Sequence, residues 1–280
     1  GNGLVDAVVT NILVRTSAGE ETAFDTAAFL AQAAPDPLAR SFQARPLELT
    51  GLRPLSDAGK TAGANLRFRE QSVFLQYARA GQQIPITFYN RPVHRYEHRR
   101  YRDPLSVAVW CPTRTQVDAF GIPFDGETNY VLHAEETGVY RFEIDARMQT
   151  VSVESTAPGQ GMAAAETLYV FGCSGRLYFH VPAGVTNVAV DAGGSPGGEG
   201  STVIVLDQQG TERAAGRNLE GNRILRAARP PAAPAEIWSL QLHAKKMYLR
   251  LGAPLQPILS SDPANVLVEP PAAEPAGKPD

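Results

Sequence analysis

The sequence predicts an all-β protein made of two tandem antiparallel β-sandwiches of jelly-roll-like form, preceded by a short mixed segment. Three observations predict it. Apolar–polar alternations recur between residues 72 and 268, as in Ser72–Ala78 (SVFLQYA), Ile84–Tyr89 (IPITFY), Leu105–Trp110 (LSVAVW) and Val139–Asp145 (VYRFEID). They are cut by turn residues at roughly ten-residue spacing, the pattern of short strands joined by hairpins. Helical periodicity is nearly absent from the same stretch.

Residues 1–65 form the mixed segment and a connector. Leu4–Val14 is rich in β-branched residues and suits a strand. Asp25–Ala34 is the best helix, with Asp25 as N-cap and Pro35 and Pro37 as stops. Residues 45–65 are rich in Pro, Gly and small polar residues. The first sandwich is expected over 66–156, with strands near 72–80, 83–90, 105–112, 116–122, 129–134, 138–145 and 150–155. Ala80-Gly81, Asp125-Gly126 and Thr137-Gly138 supply turns. An irregular segment, 91–104, interrupts this pattern.

Residues 157–166 are mostly Ala, Gly, Pro and Met, and the stretch reads as a linker. The second sandwich is expected over 167–268, with strands near 167–171, 176–181, 186–192, 201–206, 222–227, 236–242 and 247–251. Residues 269–280 are Pro- and Ala-rich and cannot bury a core.

Bulk properties narrow the function classes. The 280 residues carry a net charge of −3, which argues against a general nucleic-acid binder. No apolar run is long enough to span a membrane. The chain opens Gly1-Asn2-Gly3 without a Met or a signal peptide, so it reads as a piece of a longer product. Cys111 and Cys173 stand 62 positions apart and outside any C-x-x-C pair, which leaves a zinc cluster unsupported. Two buried thiols are expected in preference to a disulfide.

The segment 91–102 is the leading site. It holds five arginines (Arg91, Arg95, Arg99, Arg100 and Arg102) against one glutamate, so these twelve residues carry +4 in a chain of net −3. Tyr89, Tyr96 and Tyr101 are interleaved. Arginine forks grip carboxylates and sulfates, and tyrosines stack on guanidinium groups. Arg95, Arg99, Arg100, Tyr96 and Tyr101 are therefore the expected ligand-binding residues for an anionic partner. The bland alternative pairs these arginines with acids at a domain seam.

His94-Arg95-Tyr96-Glu97-His98 also matches H-x-x-E-H, with His94 and His98 as metal ligands and Glu97 as general base if the segment were helical. It follows Pro92 and ends at Asp103-Pro104, a poor helical setting. Gly193-Gly194-Ser195-Pro196-Gly197 matches G-x-S-x-G, but a strand-like run follows where a nucleophile elbow needs a helix. Asp191, Glu199 and Asp207 surround that loop and offer oxygen atoms for a calcium ion. Trp110 and Trp238 lie in strands beside apolar neighbours, Tyr140 and Trp238 alternate in register with apolar residues, and all three are expected in the core. His133, His180 and His243 stand singly and suit structural roles.

Glu135-Glu136-Thr137-Gly138-Val139-Tyr140 resembles the late strand of secreted bacterial modules of the pre-peptidase C-terminal type. In such a corner the Tyr140 hydroxyl would anchor the turn. Leu177–Val185 (LYFHVPAGV), the glycine-rich loop after it, Thr202–Leu206 and Ile237–Leu242 resemble jelly-roll modules appended to secreted polysaccharide-processing proteins of aquatic bacteria. The resemblance implies a non-catalytic region of a larger secreted, periplasmic or cell-surface protein. Such a region binds a polysaccharide or anionic glycan, or braces another domain of its parent. The rivals are a glycan-active or metal-dependent enzyme with its site at 91–102, and a structural surface or assembly protein. No cofactor is expected, calcium or a histidine-bound divalent metal being the exceptions to test.

Overall fold

The structure, a computed structural model, describes residues 12–15, 21–24, 41–42, 46–57, 66–93, 102–194 and 200–269. The chain divides into two compact units, Gly1–Gln43 and Ala44–Asp280. In the first unit β1 (Ile12–Arg15) and β2 (Glu21–Phe24) form an antiparallel hairpin with Ile12 opposite Phe24. The helix expected at 25–34 lies outside the described residues, as do 270–280 of the tail.

The second unit is built from antiparallel strands: β3 (Arg53–Pro54), β4 (Phe68–Ala78), β5 (Gln83–Arg91), β6 (Leu105–Trp110), β7 (Gln116–Ile122), β8 (Glu127–His133), β9 (Gly138–Ser155), β10 (Gln160–Ala163), β11 (Leu168–Val181), β12 (Asn187–Gly194), β13 (Ser201–Leu206), β14 (Glu212–Leu219), β15 (Gly221–Ala228), β16 (Glu236–Leu251), β17 (Ile258–Leu259) and β18 (Leu267–Val268). The all-β expectation is met. Sequence reading missed β14, whose Glu-Arg-Ala-Ala-Gly-Arg-Asn-Leu has no alternation; pairing with β13 makes it a strand.

Four long strands organise the unit, each pairing with different neighbours at its two ends. On β9, residues 141–145 pair with β6, whereas 150–155 pair with β5. On β4, Phe68 and Arg69 pair with β11, whereas 74–76 pair with β10. The bends fall where the backbone leaves the extended region: Glu70 has φ 61° and Arg147 φ 46°. Such left-handed residues interrupt the pleat and re-aim the strand. β11 bends around Gly172 (φ 56°), and β16 pairs with β13 at one end and β12 at the other. The expected short strands 138–145 and 150–155 are therefore halves of β9. Likewise 167–171 and 176–181 are halves of β11, and 236–242 and 247–251 halves of β16.

The pairings lay out two layers. One runs β8-β5-β9-β4-β11-β16-β12-β15. The other runs β7-β6-β9-β4-β10-β17, then through a Tyr178–Ser260 bridge to β11-β16-β13-β14. Between them lies an apolar core of Phe74, Phe88, Phe142, Val107, Leu177, Phe179, Leu240 and their neighbours. Phe88 of the first layer meets Phe142 of the second at 5.6 Å between ring centroids, within the range of favourable aromatic pairs.

The 157–166 stretch, expected to be a linker, contains β10, which pairs with both β4 and β17. Its small residues serve close packing: a Cβ on Gly161 would stand 2.7 Å from Ile258 Cγ2. The segments expected as separate sandwiches are hydrogen-bonded through β4 and β11, and both contribute to the same core. A smaller cluster of Leu52, Leu75, Val139, Ile258 and Leu267 sits against the outer face of the second layer. There β3 and β18 pair and roof part of the sheet. Among the described residues no helix is long and apolar enough to cross a membrane.

Candidate functional site

The arginine-rich segment 91–102 is described only at its ends. Arg95, Tyr96, Arg99, Arg100 and Tyr101, with His94, Glu97 and His98, lie outside the described residues. Its two ends are described, and both are fastened to the β9 bend. The Thr150 hydroxyl donates to the Arg91 carbonyl at 2.7 Å, and Gln149 Nε2 donates to the Asp103 carbonyl at 3.1 Å. Arg147 lies 3.4 Å from Asp103 and 3.6 Å from Asp145. Arg91 lies over the Tyr89 ring at 4.9 Å, and Arg102 over Phe124 at 5.9 Å.

Beside this base, the outer face of β4-β9-β6-β7 opens into a groove of about 920 Å³, within the size range of small-molecule sites. Strand alternation builds its floor. On β9, Phe142 and Ile144 are buried in the core, which turns Arg141, Glu143 and Asp145 outward. Register then sets three rows. Glu143 stands between Val73 of β4 and Ala108 of β6, with Ala119 of β7 beyond. Asp145 stands between Gln71 and Ser106, with Gly121 beyond. Arg141 stands between Leu75 and Trp110. Pro46 and Leu47 line the groove from one segment, Ala163 from the end of β10, and Glu166 and Thr167 from the β10–β11 connection.

The small side chains of Ala108, Ala119, Ser106 and Gly121 keep the floor low, so a ring can approach the sheet closely. The polar groups around it accept more than they donate. Glu143 and Asp145 are each 42% exposed, and Glu143 lies 3.1 Å from Arg141. The Arg141 guanidinium stacks over the Trp110 ring at 5.2 Å. Its Nε and the indole Nε1 of Trp110 are buried without hydrogen-bond partners. Trp110 is half-buried beside Arg141 rather than in the core: its apolar neighbours fixed only its strand, and Leu105, Val107 and Val109 take the core side of β6.

The other sequence motifs resolve as structure. Gly193 and Gly194 lie on β12, where a Cβ would overlap the Tyr248 ring and the Leu219 carbonyl oxygen respectively. The next described element after residues 195–199 is β13, a strand rather than the helix that a nucleophile elbow requires. Ser195, Gly197 and Glu199 lie outside the described residues. Asp191 is buried in an ion pair with Arg250. Asp207 caps its own turn, accepting from the Gln209 and Thr211 amides. Both carboxylates thus have partners within the fold, and among the described residues no three His, Cys, Asp or Glu side chains gather as a metal site.

His133 and His243 are exposed, and His180 is half-buried. Tyr140 and Trp238 are buried, at 2% and 1% exposure. Cys111 and Cys173 are free and buried. Burial pushes the Cys173 thiol up to about 11, which keeps it protonated and unreactive at neutral pH.

No protein-family model matches this chain, and no curated protein matches it. Fold and groove define its class: an all-β sandwich protein with an open, acid-lined groove on one sheet face.

Proposed function

We propose that the Ala44–Asp280 unit is a non-catalytic saccharide-binding module and that the β4-β9-β6-β7 groove holds the sugar. The observation that carries this reading is the floor. It is a low strip of Ala108, Ala119, Ser106 and Gly121, bordered by carboxylates and a guanidinium in register rows. Sugar rings are flat and ringed with hydroxyls, and each hydroxyl donates and accepts. Glu143, Asp145 and Glu166 accept such bonds, whereas Gln71, Ser106 and Thr167 both donate and accept.

A second reading has one supporting observation. Glu143 and Asp145 stand two residues apart on one face, about 6.6 Å along the strand, so two carboxylates border the same groove, as a glycosidase's pair flanks the scissile bond. Against it, both carboxylates are open to water and lie beside arginines, a setting unlike the apolar pocket that prepares a general acid. Secretion and a polysaccharide-processing parent belong to the same proposal and rest on the resemblance of the strand and turn patterns.

Calorimetry of neutral oligosaccharides against the native protein and Ala119→Trp tests the site. Ala119 is exposed on the floor, so the indole fills the groove without disturbing the core. Binding that Ala119→Trp abolishes supports the module; binding it leaves unchanged overturns it. Release of reducing sugar by the native protein but not by Glu143→Gln favours the glycosidase.

A further inference from the structure

We infer that the groove selects a saccharide bearing a protonated amine, an amino-sugar oligomer, over neutral and anionic sugars. This rests on the reading of the groove as a sugar site. Among its lining residues Glu143, Asp145 and Glu166 carry negative charge and Arg141 alone carries positive charge. The arginine is already engaged, lying 3.1 Å from Glu143 and stacked on Trp110, and its Nε is buried. It has little left to offer an anionic ligand.

Glu166 is the least committed carboxylate, since Glu143 faces Arg141 and Asp145 accepts from the Arg147 amide at 3.2 Å. Glu166 is exposed at the groove margin with no ion-pair partner among the described residues. Asp145 shares Arg147 with Asp103, at 3.6 Å and 3.4 Å respectively. An ammonium group offers three donors and a charge, and hydrogen bonds between ionised partners are about twice as strong as neutral ones. A uronic-acid or sulfated sugar in the same place would lie against three carboxylates, and like charges so placed repel. The groove thus favours the opposite ligand charge from the 91–102 segment, whose base adjoins it through Arg147.

The test uses the whole chain at low salt and three oligosaccharides of equal length: fully deacetylated chitosan oligomer, its N-acetylated counterpart, and oligogalacturonate. Binding is read by calorimetry, with circular dichroism confirming each variant's fold. The deacetylated oligomer binds about tenfold tighter than the acetylated one, the gain expected of a few partly exposed charge contacts, and oligogalacturonate does not bind. Glu166→Gln and Glu143→Gln each shrink that ratio, and Ala119→Trp abolishes binding of both chitin-type oligomers.

If oligogalacturonate binds as well, or the glutamine variants leave the ratio unchanged while Ala119→Trp still blocks, the amine selectivity is wrong and the groove reading stands. Where Ala119→Trp changes nothing, the groove reading itself fails. Pentalysine binding as tightly as the deacetylated oligomer would assign the groove to basic peptides and overturn the sugar proposal. Absence of binding by all three oligosaccharides overturns it equally.

Discussion

The Tyr140 hydroxyl is bonded twice to Glu136, four residues upstream: it accepts from the Glu136 amide at 3.0 Å and donates to the Glu136 carbonyl at 3.2 Å. The corner is held from other sides too. Thr137 Oγ1 accepts from the Ala80 amide at 2.9 Å, and the Thr113 hydroxyl donates to Glu136 at 3.0 Å. Gly138 has φ 152°, and a Cβ there would stand 2.8 Å from Pro112. The Tyr140 ring is core, so its two roles separate by mutation. Tyr140→Phe removes only the hydroxyl and is expected to cost about 1–2 kcal/mol, whereas Tyr140→Ala costs about 3–5 kcal/mol. Urea unfolding measures both; a Tyr140→Phe variant as stable as the native protein contradicts the anchoring bond, and equal losses for the two variants contradict burial of the ring.

Arg229 is a buried clamp, with 2% of its side chain exposed. Its Nη1 donates to the Pro182 and Val185 carbonyls at 2.9 and 3.3 Å, and its Nη2 donates to the Pro234 carbonyl. Nε donates to Glu236 at 3.3 Å, and Trp238 Nε1 donates to the same carboxylate oxygen at 2.6 Å. Removing the guanidinium leaves that largely covered carboxylate, 18% exposed, without its cation. Arg229→Ala is expected to destabilise by about 3–5 kcal/mol, and Arg229→Lys, with one point of attachment for several carbonyls, recovers only part. A loss below about 1 kcal/mol for Arg229→Ala is incompatible with the clamp.

The two thiols are expected to be silent in the folded state. Cys111 Sγ lies 3.0 Å from the Thr113 hydroxyl, and both cysteines are buried. With Cys173 held protonated to about pH 11, a thiol reagent at pH 8 labels the native protein slowly and the unfolded chain at both cysteines. Electrophoretic mobility is unchanged by reductant. Rapid stoichiometric labelling of native protein at Cys173 contradicts its placement.

His180 gives stability a pH dependence of definite sign. Burial is the main cause that lowers its pKa from 6.5; Arg229 also lowers it, and Glu269 opposes both. The folded state therefore binds this proton less readily than the unfolded chain. Its contribution is fully present above pH 6.5 and is lost as pH falls below that value towards the lowered folded pKa. Unfolding free energy measured between pH 8 and 5 should decline on acidification, and less so in His180→Gln. Identical slopes for the two proteins exclude His180 as the source.

Local chemistry was legible wherever a residue's role is set by its immediate neighbours. Thr137-Gly138-Val139-Tyr140 announced a corner with an anchoring tyrosine, and alternation placed Tyr140 and Trp238 in the core. The groove was not legible. Arg141, Glu143 and Asp145 read as the solvated side of an ordinary strand, and Ala108, Ala119 and Gly121 carry no signal of their own. They become a floor only when β9 lies between β4 and β6, and β7 follows. The segment 91–102, by contrast, stood out by charge alone, and charge does not specify where a loop packs.

By itself the sequence determined the strand-forming period, most of the turns and the core side of the strands that alternate, because these follow from alternation and from the backbone preferences of single residues. Tertiary structure alone decided that 138–155, 168–181 and 236–251 are continuous bent strands and that 157–166 is paired rather than free. The physical reason is that a bend at Arg147 and close packing at Gly161 exist only against their partners. A left-handed arginine or a crowded glycine has no signature until another strand fixes it.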